Sequence, residues 1–299
     1  MNFKNITVAG SGVLGYQIAF QTAFSGFKVT VYDITDEVLE KAKAKFQSLS
    51  ESYKKDLNVT QEQLDETFKN LSYNSDLAEA IKDADLLIEA VPENPEIKID
   101  FYKKLAPLAP EKTVFATNSS TLLPSQFADV TGRPNKFIAL HFANEIWIHN
   151  TAEIMGHAGT DKVVFDDLVA FAKVIGMIAL PVLKEQPGYI LNSLLVPFLH
   201  AATNLWINGI ADPETIDKTW LLAIGGTKGP FGILDMVGIN TAYNINKMSA
   251  EKAPDETKLK LIAKYKEEFI DKGKLGTSTG EGFYKYPNPA YEDKDFLKK

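Results

Sequence analysis

Four histidines occur in the chain, and only His141 stands where acid–base chemistry is expected. It closes the apolar run Phe137-Ile138-Ala139-Leu140, which marks the end of a buried strand. Glu153 follows 12 residues later inside Thr151-Ala152-Glu153-Ile154-Met155, a carboxylate in an otherwise apolar strand. A buried carboxylate needs a partner, and a strand-end imidazole supplies one. Such a pair would fix the imidazole tautomer and favour protonation near neutrality, which suits a general acid–base. The same spacing also describes a structural ion pair between neighbouring strands, and spacing alone does not separate the two. Thr117-Asn118-Ser119-Ser120 ends the preceding strand-like run; its hydroxyls serve either a substrate or the cap of the next turn. Asn144, three residues past His141, and Asn192, on the first turn of a long apolar helix, can each orient a carbonyl oxygen. His149, His157 and His200 lie in polar loop or helix-surface contexts and read as structural or exposed. With no cysteine and no cluster of ligating side chains, no metal site is expected.

A second chemistry is written near the start. Ile6-Thr7-Val8-Ala9 reads as a short buried strand and Leu14 to Phe24 as a helix, with Gly10, Gly12 and Gly15 spaced G-x-G-x-x-G between them. Gly10 permits the tight turn, Gly12 lets backbone approach a pyrophosphate, and Gly15 lets helix pack on strand. The anion would rest on the helix N-terminus, where free N–H groups and the dipole favour negative charge. Lys28 to Asp33 forms the next strand, and Asp33 lies 18 residues past Gly15, where a carboxylate holds ribose hydroxyls. Asp33 would repel a 2′-phosphate, and neither Ile34 nor Thr35 offers a cation for one. The pattern therefore predicts NAD rather than NADP as cofactor.

These residues need a scaffold. Strand-like runs at Ile6–Ala9, Val29–Asp33, Asp85–Ala90, Thr113–Thr117, Phe137–His141, Thr151–Met155 and Met177–Leu183 alternate with helical patterns. That order predicts a Rossmann-type α/β domain over residues 1–184, with a doubly wound, mostly parallel sheet. Residues 36–70 break the rhythm; their Lys/Glu-rich helical spacing predicts a projecting, solvated helical hairpin. Glu185-Gln186-Pro187-Gly188 is a breaker cluster, and residues 185–299 carry helical signals only, including Asp212-Pro213 as a helix start. An all-helical second domain is expected, its apolar stripes with Trp206 and Trp220 serving a core or a second copy in a homodimer. A net charge of −7 argues against nucleic acid or an anionic membrane as partner. Polar residues interrupt the apolar helix near 189–207, so no membrane span is expected, and the cytoplasm is the default location.

Taken together, the motifs resemble the 3-hydroxyacyl-CoA dehydrogenase family over almost the whole chain. The likeness runs through Gly10–Gly15, Glu89-Ala90-Val91-Pro92-Glu93-Asn94, Asn118-Ser119-Ser120, His141-Phe142-Ala143-Asn144 and Glu153. It continues through Pro187-Gly188-Tyr189-Ile190-Leu191-Asn192, Gly229-Pro230-Phe231 and Gly280-Glu281-Gly282-Phe283-Tyr284. The runs from Ala116 to Ser125 and from Leu140 to Asn144 are similar to the bacterial diketoreductase branch almost word for word. The resemblance implies NAD-dependent hydride transfer at the C3 carbon of a small 3-hydroxyacyl or 3-ketoacyl substrate. It implies His141 as acid–base, Glu153 as its orienter, Ser120 and Asn192 on the substrate oxygen, and Asn144 in support. It also implies that Gly10, Gly12, Val13, Leu14, Gly15, Asp33, Ala90, Val91 and Asn118 line the cofactor, with Glu93 and Lys98 at its nicotinamide end. Ala143-Asn144-Glu145 replaces the family's phenylalanine–asparagine–proline run, and Ser193, Gly232 and Ser278 replace a usual arginine, glutamate and lysine. The hairpin is short, with Lys54 and Lys55 as its candidate CoA contacts. A CoA thioester is thus one substrate class and a simple β-keto or β,δ-diketo ester or acid the alternative. A crystallin-like or NAD-sensing scaffold is the remote alternative, since a scaffold needs no Ser120–His141–Glu153–Asn192 set. A lysine-based hydroxyacid dehydrogenase would need a catalytic lysine where Asn192 and Ser193 stand.

Overall fold

A computed structural model describes residues 3–298. The apolar runs become one eight-stranded sheet: β1 (Asn5–Ala9), β2 (Lys28–Tyr32), β3 (Leu71–Asn74), β4 (Leu86–Glu89), β5 (Val114–Thr117), β6 (Phe137–Phe142), β7 (Thr151–Met155) and β8 (Ile178–Val182). Their order is β3-β2-β1-β4-β5-β6-β7-β8. Every neighbouring pair is parallel except β6 and β7. The chain leaves β1 toward one edge and returns at β4 toward the other, so the sheet has a switch point between β1 and β4, where doubly wound folds bind ligands.

Helices α1 (Gly15–Phe24), α2 (Asp36–Leu57), α3 (Gln61–Lys69), α4 (Leu77–Ile81), α5 (Pro95–Leu105) and α6 (Lys162–Val174) cover both faces of the sheet. On one face Val8, Val31, Ile88 and Leu140 pack with Phe20, Phe46 and Phe171. On the other, Leu87 and Phe115 pack with Ile81 and Tyr102. Burial on both sides explains why the central strands read as unbroken apolar runs rather than alternating ones.

Two expectations need correction. The seven strand-like runs do not include β3: it is an edge strand, and Leu71, Ser72, Tyr73 and Asn74 are only partly covered, so no apolar run announces it. The hairpin α2–α3 does not project as a solvated pair. Phe46, Tyr53 and Leu64 are fully buried in the main core, and the Tyr53 hydroxyl donates to the side-chain oxygen of Gln21 on α1. Thr35 caps α2, and Thr60 with Gln63 forms a reciprocal cap on α3. The lysines and glutamates occupy only the outer face.

The described chain forms two compact units, one up to Leu191 and one from Asn192. The break lies just past the Pro187-Gly188 breaker, because the first amides of the next helix are bonded to the sheet (see Glu153 below). The second unit carries most of α7 (Tyr189–Ile207), then α8 (Pro213–Ile224), α9 (Pro230–Val237), α10 (Ile239–Lys252) and α11 (Glu256–Glu268). Asp212 caps α8 through the Thr215 N–H. Trp206 centres an aromatic core with Phe231, Tyr265, Phe269 and Phe283. Two buried carboxylates, Asp217 and Asp235, hold this unit's C-terminal segment. Asp217 accepts from the Phe231 and Gly232 amides and the Tyr284 hydroxyl; Asp235 accepts from the Phe283 and Tyr284 amides and the Tyr286 hydroxyl.

Candidate active site

The antiparallel turn from β6 to β7 sets His141 directly opposite Glu153. Side chains alternate along a strand, so residues facing one another across a ladder share a face. Both are nearly buried, at 6% and 3% exposure. His141 Nδ1 lies 3.0 Å from Glu153 Oε2 and donates to it, since an ionised carboxylate only accepts. That leaves Nε2 as the basic nitrogen, 3.2 Å from the Ser120 hydroxyl at the end of β5. The other oxygen of Glu153 accepts from the Ile190 and Leu191 amides, 2.9 and 3.0 Å away, in the first turn of α7. Burial by itself would raise the Glu153 carboxyl. The bonds to His141 and to these two amides outweigh it and hold the carboxyl below its usual range. The site is therefore an anionic orienter, a fixed imidazole tautomer and a hydroxyl in line.

A second carboxylate network holds the Ser120 loop. Glu93 Oε1 accepts from the Ser119 hydroxyl at 2.6 Å and from the Ser120 and Thr121 amides at 3.0 and 2.9 Å. Burial would raise the Glu93 carboxyl as well, but the Ser119 bond and the nearby Lys98 ammonium bring it below its usual range. Lys98 Nζ stands 3.5 Å from Glu93 and 2.5 Å from Glu89. Lys98 and Glu89 are 1% and 0% exposed, and Glu89 also takes the Tyr102 and Thr117 hydroxyls. Lys98 is thus packed beneath the strand ends as a structural cation rather than presented at the surface. Asn118 is committed too: its side-chain oxygen accepts from the Phe142 amide at 3.0 Å and ties β5 to β6. Asn144 accepts from Gln17 on α1 at 2.8 Å rather than meeting His141, and Gln17 in turn accepts from the Glu145 amide. Glu145 itself has a left-handed backbone, φ 59°. None of Gln17, Glu89 or Tyr102 was singled out by sequence reasoning. The run of Glu89 inside an apolar strand was the signal that could have found one of them.

The glycine turn fits a dinucleotide. Gly10 has φ +96°, and a Cβ there would fall 2.5 Å from the Ala90 carbonyl oxygen; one at Gly15 would fall 1.8 Å from the Gly10 oxygen. At Gly12 an added Cβ would meet nothing within 4 Å, so that spot in the cradle is open. Val13, 64% exposed, and half-buried Leu14 precede α1. The Ala90 amide bonds Ala9 and the Val91 amide bonds the Glu89 carboxylate, so both line the β1–β4 switch point. Asp33 directly follows β2; one carboxylate oxygen accepts from the Ser11 amide and hydroxyl, the other from the Ile34 amide. Those bonds orient an anion beside the turn, as a ribose-binding carboxylate requires. Asn192 opens the second unit on α7.

The family models for the 3-hydroxyacyl-CoA dehydrogenase NAD binding domain and C-terminal domain match residues 5–186 and 188–286. The chain belongs to the 3-hydroxyacyl-CoA dehydrogenase family. It is therefore an NAD-dependent oxidoreductase acting on a CH–OH group. Among family members, human mitochondrial hydroxyacyl-coenzyme A dehydrogenase is 35% identical over 295 residues, covering 95% of this chain and 91% of that one. A probable 3-hydroxybutyryl-CoA dehydrogenase of Bacillus subtilis is 31% identical, covering 96% and 98%. Among solved structures, a diketoreductase that acts on dicarbonyl compounds is 53% identical with a TM-score of 0.91, covering 96% and 100%. The (S)-3-hydroxybutyryl-CoA dehydrogenase of Ralstonia eutropha is 26% identical with a TM-score of 0.82, again covering 96% and 100%.

Proposed function

We propose that the protein reduces the C3 carbonyl of a small β-keto compound to the 3-hydroxy product, and runs the reverse oxidation. The observation that carries this reading is an unbroken line of polar contacts: Glu153 Oε2 lies 3.0 Å from His141 Nδ1, and His141 Nε2 lies 3.2 Å from the Ser120 hydroxyl.

 The line starts at a buried carboxylate and ends at a hydroxyl that faces the basic nitrogen.

The nicotinamide supplies or accepts the hydride when it is bound. In reduction, the carbonyl carbon gains that hydride while the protonated His141 gives its Nε2 proton to the carbonyl oxygen, and solvent later restores it. In oxidation, Nε2 takes the hydroxyl proton as the hydride leaves. Glu153 stays ionised and holds Nδ1–H throughout. Ser120 donates to the oxygen as charge develops on it, the kind of fixed electrostatic help that often dominates such reactions.

For the substrate, we favour a carbonyl compound that needs no CoA handle. The 53% identity to a diketoreductase, against 35% or less for the CoA enzymes compared, supports this. So does the hairpin: Lys54 is paired with Glu51 at 2.8 Å. If the nucleotide part of CoA adds little binding energy, acetoacetyl-CoA and a simple acetoacetate ester have kcat/KM values within about tenfold, or about 1.4 kcal/mol. Turnover of both with NADH measures this, and a preference for the thioester above about a thousandfold overturns it.

The same reading makes the protein a cytoplasmic homodimer with no nucleic-acid or membrane partner. Helix Tyr189–Ile207 is long and apolar enough to cross a membrane. Its Leu199, Ala202 and Trp206 are buried in the second unit's core, while Leu194 and Leu205 are exposed with Leu222 and Ile224 on α8. Those exposed residues are what a second copy would cover. Sedimentation at micromolar concentration is expected to give a dimer, and a stable monomer refutes it.

A further inference from the structure

We propose that Tyr189 is a positioning residue of the acid–base centre, fixing the ring plane of His141 and, through Ser119, the neighbouring Ser120 hydroxyl. The proposal rests on the catalytic reading of His141. The Tyr189 ring is fully buried and lies flat against the imidazole, with ring centroids 4.5 Å apart and an interplanar angle of 13°. Its hydroxyl donates to the Ser119 carbonyl at 2.7 Å, one residue before Ser120. Burial keeps that hydroxyl protonated, so it remains a donor at any working pH. The backbone is also unusual. Gly188 has φ +79° and Tyr189 has φ +55°, and an aromatic residue in the left-handed region is an outlier. Such a conformation persists only where the surroundings hold it, and it clusters at functional sites.

The consequence of that turn is specific. It lays the ring on His141 and points the next two amides, of Ile190 and Leu191, at Glu153 Oε1. One residue thus touches the imidazole directly, reaches the serine through a carbonyl, and orients the amides that hold the glutamate. The face of an aromatic ring also favours a cation above it, which supports the imidazolium that must form in catalysis. The charged groups bearing on this cluster are Glu153, Glu93 and Glu89, with Lys98 between the last two. All of them remain in place when Tyr189 is changed.

The test compares Tyr189→Phe, which keeps the ring, with Tyr189→Asn, which removes it while tolerating the left-handed backbone. Rates are expressed per NADH-binding site, so a misfolded fraction does not count. Y189F is expected to lower kcat about threefold to tenfold through the lost hydrogen bond. Y189N is expected to lower it by at least about tenfold, with NADH affinity unchanged. The proton resonance of the His141 ring carbon between the two nitrogens, identified by its loss in H141Q, gives a readout free of turnover. It should be shifted upfield by the stacked ring in the wild type and Y189F, and lose that shift in Y189N. Wild-type kcat in both variants and an unchanged ring resonance in Y189N, with only thermal stability reduced, overturn the proposal. Should Y189N not fold, Y189F decides alone, and an unchanged kcat overturns it. If the wild type reduces no β-keto compound, the functional reading fails, while the ring resonance still decides where Tyr189 sits.

Discussion

Removing the His141 imidazole takes away the proton donor and acceptor without touching the glycine turn some distance along the sheet edge. His141→Ala is therefore expected to lose on the order of 10²–10⁴ in turnover while NADH titration still gives wild-type affinity. Glu153→Gln should also slow turnover, because the imidazole loses the carboxylate that holds Nδ1–H and fixes its tautomer. Retention of near-normal rates by H141A would remove the histidine from the mechanism. The pair was legible in the sequence because a 12-residue interval joins two apolar strands, and the antiparallel register then puts His141 opposite Glu153. Tyr189 and Gln17 were not legible. A ring laid on an imidazole by a left-handed turn, and a glutamine bridging α1 to the loop after β6, exist only once distant segments have packed.

Among the elements, β4 and α5 are joined by the charge pair least like the others. The other lysine–carboxylate pairs lie toward the surface, as Lys41 does with Glu37 at 70% and 78% exposure. Such pairs contribute about 0–1 kcal/mol each. Lys98 and Glu89 are out of water altogether, so removing Glu89 leaves the buried ammonium with only the more distant and partly exposed Glu93, 3.5 Å away. Glu89→Gln is expected to destabilise the protein by about 3–5 kcal/mol, and K41A by less than about 0.5 kcal/mol. Urea midpoints with an unchanged slope measure both; an E89Q midpoint equal to that of K41A would show that the buried pair does not stabilise the sheet. The central strands and α1 were legible because burial on two faces leaves continuous apolar runs. The edge strand β3 and the packing of α2 were not, since a half-covered strand and a helix rich in charge both resemble surface.

At the scale of the whole molecule, Asp217 and Asp235 in the second unit respond to acid with the sign opposite to that of Asp85, Glu93 and Glu153 in the first. In the first, Asp85, Glu93 and Glu153 titrate below their ordinary values, against the burial that would raise each of them, because hydrogen bonds and neighbouring cations favour their anions. Groups of that kind stabilise the fold above their unfolded values, near 4, and the contribution is lost as pH falls through the folded ones. In the second, burial raises both Asp217 and Asp235, the latter to about 6, with Asp217 adding repulsion on Asp235. A carboxyl that binds its proton more tightly folded than unfolded gives stability as pH falls from the folded value toward the unfolded one near 4. From these two acids the second unit should therefore gain on the order of 2 kcal/mol between pH 7 and pH 4.5, offset in part by His200, whose imidazole is lowered by burial and by Lys258 and favours the unfolded chain as pH falls through its ordinary range near 6.5; the first unit gains nothing there. Tryptophan reports this selectively: Trp206 and Trp220 lie in the second unit and Trp147 in the first. In a Trp147→Phe background, the fluorescence-detected urea midpoint is expected to rise on acidification from pH 7 to pH 5. Adding Asp235→Asn should flatten most of that rise while lowering the midpoint overall, since one amide cannot accept all the bonds that the carboxylate does. A midpoint that falls between pH 7 and pH 5 with Asp235 present would mean that the buried acids of the second unit do not take up protons in that range.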